Sequence, residues 1–376
     1  MRLARLTVRD FRNLARVDLD LPPEGMVVVG ENGHGKTNLL EAVYYLQLLR
    51  SARGARDQDL VRFGGTGFHV AASAESTAGA TTMAAGFERA GKRKRVKMDG
   101  VEVPRLSDAL GALPSVLCSP RDAALVAGAP SERRRYLDVT LALSSRPYLA
   151  SLQSYRAALA RRNAALRDAG RTARDEQRAA VWEPALAEHG ARIWTARVQW
   201  ITGVATRYTE LCSAIGERGH ARMRYASALE PDRGDVEAAL AVALEAKRSL
   251  DIKRGITHTG PHRDDLELTL TESGGTPRDL RAFGSAGQQR TAAIALRVLE
   301  RETLRTRRDA SPLLLLDDPF AELDVRRSGR ILELLAGEGA GQTILAVPRE
   351  SDIPPGLTRL ARWRVESGVL TPWRAA

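Results

Sequence analysis

Gly30-Glu31-Asn32-Gly33-His34-Gly35-Lys36-Thr37-Asn38 is the stretch of this chain whose residue types and spacing most plainly do chemistry. Gly30, four residues, then Gly35-Lys36-Thr37 has the P-loop spacing, in which glycines let backbone N–H groups fold around phosphate oxygens. Lys36 can reach the β and γ phosphates, the Thr37 hydroxyl can ligate Mg²⁺, and the following helix start adds partial positive charge. The expected ligand is a nucleoside triphosphate with Mg²⁺, cradled by the whole loop from Gly30 to Asn38. Two elements must position that loop. Met26-Val27-Val28-Val29 reads as the strand entering it, and Leu39-Leu40-Glu41-Ala42-Val43 as the helix leaving it.

Two further stretches fit the same chemistry. Phe283-Gly284-Ser285-Ala286-Gly287-Gln288-Gln289-Arg290 is a glycine turn running into a helix, so Ser285, Gly287 and Gln288 stand at a second helix N-terminus able to face an anion. Leu313-Leu314-Leu315-Leu316 is an unbroken apolar strand that must be covered on both faces, and it ends in Asp317-Asp318. Asp317 suits Mg²⁺ coordination, and Asp318 suits a base or an orienter of water. Glu322-Leu323-Asp324 follows at once. His258, His262, Asp264 and Asp265 have the composition of metal ligands, but Gly260-Pro261 prevents a helix from placing both histidines on one face.

The 376 residues suffice for two domains, and a 43% hydrophobic fraction is that of a globular protein. A net charge of +11 points to a polyanionic partner such as nucleic acid, although an arginine-rich genome would raise it too. Cys118 and Cys212 offer neither a CxxC pair nor metal spacing and read as reduced, buried thiols. No apolar run approaches the ~20 residues that span a bilayer, so a soluble cytoplasmic protein is expected.

Taken in order, residues 3–21 alternate as a hairpin turning at Arg12-Asn13 and lead to the loop strand. After the loop helix, Arg50 to Arg62 reads as loop with a short helix, and Phe68 to Val103 as short strands. There Lys92-Arg93-Lys94-Arg95 marks a solvated edge or a DNA contact, and Asp99-Gly100 a type I′ turn. Leu113 to Ser119 is a further strand. From Arg121 to Lys253 long helical patterns replace strands, including the stripe Trp194, Val198, Ile201, Ala205, Tyr208, Cys212 and a capping box from Thr172 to Asp175. These helices form a second lobe, and the strand pattern returns at Gly255 with Leu266, Leu268 and Leu270.

GENGHGKT, SAGQQR and LLLLDDPFAELD, in that order, resemble the Walker A, signature, Walker B and D-loop set of ABC-type ATPases. Within that superfamily the chain resembles the RecF family over nearly its whole length, at Phe11 to Leu46, Leu113 to Asp138, Thr259 to Leu268 and Gly284 to Arg297, and least from Leu166 to Arg254. It departs from the pattern at Ala321 and at Ala346-Val347-Pro348, and no Q-loop glutamine stands out. The resemblance implies an α/β fold, an ABC-type head built from residues 1–120 and 254–376 with a helical lobe inserted at 121–253. It implies an ATP-dependent homodimer in which each Ser285 signature caps the ATP of the other copy, weak ATPase activity, and ATP used mainly as a switch. It further implies binding of gapped and duplex DNA, and help to RecO and RecR in loading RecA during gap repair. An SMC-type or other ABC-type ATPase of chromosome maintenance is the alternative.

Overall fold

The computed structural model describes the chain apart from residues 78, 168–172, 230–234, 309–310, 320–324, 337–340, 359 and 374–376, and apart from the side chains of 173–176, 307–308, 325 and 336. The Thr172 to Asp175 capping box and the Ala321 to Asp324 segment therefore lie wholly or partly outside the described residues. Two compact units make up the chain, residues 1–122 with 294–376, and residues 123–293.

The first unit opens with β1 (Arg2–Phe11) and β2 (Leu14–Asp20), an antiparallel hairpin turning at Arg12-Asn13. It continues through β3 (Gly25–Val29), α1 (Lys36–Leu48), α2 (Asp57–Leu60), β4 (Gly67–Ser76), β5 (Gly79–Glu88), β6 (Arg93–Met98), β7 (Val101–Glu102), α3 (Leu106–Ala109) and β8 (Ser115–Cys118). The second unit holds α4 (Ala124–Ala127), α5 (Pro130–Ser144), α6 (Arg146–Arg167), α7 (Ala173–Ala180), α8 (Glu183–Ile215), β9 (His220–Ala226), α9 (Val236–Arg254), β10 (Asp265–Thr271), β11 (Arg278–Asp279) and α10 (Leu280–Phe283). The division falls inside α11 (Ala286–Arg308), after which β12 (Leu313–Asp317), α12 (Val325–Ala336), β13 (Thr343–Val347), β14 (Ala361–Glu366) and β15 (Val369–Pro372) complete the first unit.

Two sheets build that first unit. One is antiparallel, in the order β2-β1-β4-β5-β6-β7; the other runs β15-β14-β3-β13-β12-β8 and is parallel except at β15. Every residue of β3, β12 and β13 is buried, which is why these strands read as unbroken apolar runs. Parallel strands bring their carboxyl ends to one edge, where ligands of such sheets bind. Here that edge collects the loop after β3, Asp317-Asp318 after β12, Pro348 after β13 and Ser119 after β8. α1 is buried throughout Leu39–Leu48, and its Tyr45 meets Phe11 and Phe68 edge to face at centroid distances of 5.9 and 5.3 Å.

The second unit is organised by α6, α8 and α9, whose Leu152, Tyr155, Ile193, Leu240 and Leu244 share one core. The buried seam of α8 runs through Ile193, Arg197, Ile201, Tyr208 and Cys212, so Trp194 and Val198 of the expected stripe are only half-buried. Two expectations are corrected. Strands do not vanish between 121 and 253, because β9 lies there, its alternation Ala221, Met223 against Arg222, Arg224 being a period of two. The second boundary falls at 294 and not at 254: β10 pairs antiparallel along the whole of β9, from Asp265↔Ala226 to Thr271↔His220, and holds this stretch in the helical unit. Cys118 and Cys212 are buried free thiols, and burial pushes the Cys212 thiol up to about 12. Among the described residues no helix is long and apolar enough to cross a membrane.

Candidate functional site

β3 delivers the chain to a turn that only glycine can make. Gly33 and Gly35 have φ of +86° and +116°, and a Cβ on Gly35 would lie 2.9 Å from Asn13 Oδ1. A Cβ on Gly30 would lie 2.4 Å from the Val365 carbonyl oxygen. Gly35 is the N-cap of α1, with no side-chain cap and no acidic residue in the first turn. The N–H groups at this helix start are thus left for an external anion.

Lys36, 6% exposed, donates from Nζ to the carbonyls of Gly30 and of Glu31, the latter at 2.9 Å. Burial pulls its pKa below the ordinary lysine value, against the opposing pull of Asp317 and Asp318. Thr37 Oγ1 donates to the Asp317 carboxylate, with oxygens at 3.0 and 2.9 Å. Burial raises Asp317, and the Thr37 hydrogen bond and Lys36 lower it less than burial raises it. Asp318 sits at φ +46° with its N–H on the Ala346 carbonyl, 2.9 Å away. Glu31, Asn32 and His34 line an open cleft of about 630 Å³ beside the turn. His34 Nδ1 accepts from Ser367 N at 3.1 Å, and its carbonyl from Gly368 N at 2.9 Å, so the β14–β15 turn backs the loop.

Residues that carried no signal of their own brace the other side. Asn13, read from sequence only as a hairpin turn, accepts from Asn38 Nδ2 at 2.8 Å and donates to the Gly33 carbonyl at 3.4 Å. Glu41, 1% exposed, accepts from Ser51 Oγ at 2.5 Å, Arg53 Nε at 2.9 Å and Arg12 Nε at 3.1 Å, and Arg53 also reaches Asn38. Burial alone would raise Glu41, but the bonds from Arg53, Ser51 and Arg12 hold its carboxyl below the usual range. A polar residue midway along an apolar helix was the available signal.

In the second unit Ser285 and Gln288 cap one another: Ser285 N donates to Gln288 Oε1 at 2.9 Å and Gln288 N to Ser285 Oγ at 3.2 Å. Gly287 lies between them in the first turn of α11. The residues with metal-ligand composition are engaged elsewhere. His258 meets Asp251 at 2.8 Å, His262 meets Tyr155 at 2.7 Å, Asp264 accepts from Tyr225 at 2.7 Å, and Asp265 accepts from Arg133 at 2.7 Å.

The basic run divides by strand alternation. Lys94 faces inward, 2.6 Å from Asp57 and over the Tyr45 ring, so it is structural. Arg93, Arg95 and Lys97 share the other face and, among the described residues, form no ion pair. Pairing registers align Arg16, Arg9, His69, Gly86 and Arg95 across the sheet, and Gly86 and Ala84 give it a low floor. Burial, then Arg9 and Lys97, lower the pKa of His69, which thus stays uncharged near neutrality.

Residues 2–352 match the family model of the RecF/RecN/SMC N terminal domain. This chain belongs to the RecF family. The DNA replication and repair protein RecF of Frankia alni is 38% identical over 95% of this chain and 96% of its own length. That of Anaeromyxobacter dehalogenans is 38% identical over 99% of each. A solved structure of the recombination mediator protein RecF with ATP, of the RecFOR pathway, matches at TM-score 0.89 and 28% identity over 99% of this chain and 98% of that one. Such end-to-end agreement with RecF proteins sets the SMC-type alternative aside.

Proposed function

We propose that this RecF-family chain binds ATP with Mg²⁺ at Gly30–Asn38, dimerises around the nucleotide, and in that state holds DNA during replication and recombinational gap repair. The observation that carries the reading is the meeting of Thr37 and Asp317, separated by 280 residues, beside a buried Lys36 at a helix start that no side chain caps. The backbone N–H groups and Lys36 bind the phosphates. A hydroxyl and a carboxylate are the hard oxygen donors that Mg²⁺ takes, and their mutual hydrogen bond already holds both on one point. Mg²⁺ held there neutralises charge on the phosphates. Asp318, next to that point, orients or deprotonates the attacking water. RecF proteins named for the RecFOR pathway have been solved with ATP, which supports the same ligand here.

Ser285, Gly287 and Gln288 serve the other copy. Each signature caps the γ-phosphate on its partner, giving two buried sites in one twofold interface. ADP lacks the bridging group and releases the pair, so slow hydrolysis acts as a switch. Arg93, Arg95 and Lys97 with Arg9 and Arg16 offer a sequence-independent hold on the backbone of duplex or gapped DNA. RecO and RecR join this complex to place RecA, in the cytoplasm.

Light scattering tests the reading. ATP should give a dimer, ADP a monomer, Asp318→Asn a dimer that persists with ATP, and Ser285→Arg a monomer that still binds ATP. An oligomeric state indifferent to nucleotide in the unmodified chain and in Asp318→Asn would refute it.

A further inference from the structure

A cavity of about 230 Å³ opens among α5, α6, α8 and the turn carrying Pro261 and His262, and the nucleotide chemistry makes no use of it. Its walls include Leu152, Tyr155, Leu159, Ile193 and Pro261, and Arg134, Arg135 and Arg156 stand around it.

The groups beneath are fully engaged. Arg197, 2% exposed, donates to Asp138 at 2.7 Å, to the Pro261 carbonyl at 2.7 Å, and to Tyr148 and Tyr225 at 3.2 Å each. His262 Nε2 lies 3.0 Å from the Thr257 carbonyl and Nδ1 lies 2.7 Å from Tyr155 OH. Burial lowers its pKa to about 4, so the ring is neutral, donating to Thr257 and accepting from Tyr155. A Cβ on Gly260, at φ +124°, would lie 2.4 Å from Tyr155 OH, so the turn is shaped to bring the histidine there. The floor is rigid and satisfied. A ligand gains nothing by bonding to it and must be held by the apolar wall and the arginines.

Four arginines, Arg134, Arg135, Arg156 and Arg197, and one carboxylate, Asp138, line the cavity. Asp138 already accepts from Arg197, from Arg156 at 2.8 Å and from Tyr148 at 2.7 Å. Asp265 is taken by Arg133, and Arg134 donates to the backbone carbonyl of Asp264 at 2.9 Å. Volume then decides the ligand class. Sites for whole small molecules span roughly 300–1,000 Å³, so this one is too small for a cofactor and suits a single anchoring side chain. Phosphodiester oxygens would gain nothing from Leu152, Leu159, Ile193 and Pro261, which argues against a nucleic-acid strand.

We propose that this cavity docks an acidic peptide segment of a protein partner, one large apolar side chain entering between Leu152, Leu159 and Ile193 while flanking carboxylates pair with Arg134 and Arg156. The site is independent of the ATP reading. Fluorescence anisotropy with the intact chain and a labelled acidic dodecapeptide carrying one central leucine tests it. Affinity should fall about tenfold or more in Arg134→Glu/Arg156→Glu, in Leu159→Trp, which fills the pocket without changing charge, and when the peptide leucine becomes serine. A duplex oligonucleotide should not displace the peptide. Absence of binding to the unmodified chain, equal binding of the serine peptide, or displacement by the oligonucleotide would overturn the proposal. If the variants do not fold, a benzophenone replacing the peptide leucine decides it: crosslinks on Leu152, Leu159 or Ile193 support the site, and crosslinks confined elsewhere overturn it.

Discussion

Replacing Glu41 by Gln should loosen the helix behind the phosphate loop by an amount the structure lets one work out. The carboxylate is 1% exposed and takes hydrogen bonds from Ser51, Arg53 and Arg12, two of these donors being cationic. An amide nitrogen in place of one oxygen would face guanidinium donors, so at least one charge-assisted bond of about 1.5–3 kcal/mol is lost. Breaking a fully buried ion pair costs about 3–5 kcal/mol. Here the side chains of Arg12 and Arg53 keep 22% and 23% of their surface and can turn to water, so the lower end, about 3 kcal/mol, applies. The pH dependence has a definite sign. Glu41 is held below its ordinary pKa, so its contribution is complete above the unfolded value near ~4.3 and is lost as pH falls through the lower folded value. Amide exchange of Leu39–Leu48, followed by mass spectrometry from pH 7 downward, should therefore show a gap between parent and Glu41→Gln that is constant near neutrality and narrows only in acid. A gap under about 1 kcal/mol at pH 7, or one unchanged on acidification, would refute this account.

Lys36→Met should weaken ATP binding by about tenfold to a hundredfold, the worth of charge-assisted bonds to phosphate, and titration calorimetry with unchanged affinity would contradict that. Lys36→Arg should not restore it, because a guanidinium does not fit where one compact ammonium fits. Arg93→Ala/Arg95→Ala/Lys97→Ala should weaken duplex binding without altering sequence preference, and should reduce the slope of log affinity against log salt by about 2.7 if all three contact phosphates. An unchanged slope would clear this face of DNA.

Much of the first unit was legible because its strands carry one-sided or two-sided patterns that periodicity reports. Leu313–Asp317 reads as a strand covered on both faces, and every residue of it is buried; Gly30–Thr37 reads as a glycine turn between a strand and a helix, which is the conformation found. Asn13, Ser51, Arg53 and Ser367 were not legible as parts of the site. They act through contacts between segments far apart in sequence, and local pattern carries no trace of such pairing. β9 is absent from the pattern reading for a different reason: its seven residues lie between two long helical patterns, although Ala221, Arg222, Met223 and Arg224 alternate. That omission also displaced the boundary to 254, since β10 follows its partner strand. The mutual capping of Ser285 and Gln288 is readable as serine and glutamine three residues apart at a helix start, the same residues that mark an anion-facing N-terminus.

The position of β3 also governs how the protein comes into being. This early strand is flanked by β13 and β14, residues 343–347 and 361–366, and so has neither neighbour while most of the chain is still being made. At ~5–20 residues per second, the phosphate loop leaves the ribosome on the order of fifteen to sixty seconds before the strands that hold it. Throughout that interval Met26–Val29 lacks the partners that cover both of its edges in the fold, and unpaired apolar strand edges favour association. Topology thus sets a period in synthesis during which the central strand of this sheet is made but has neither of its neighbours.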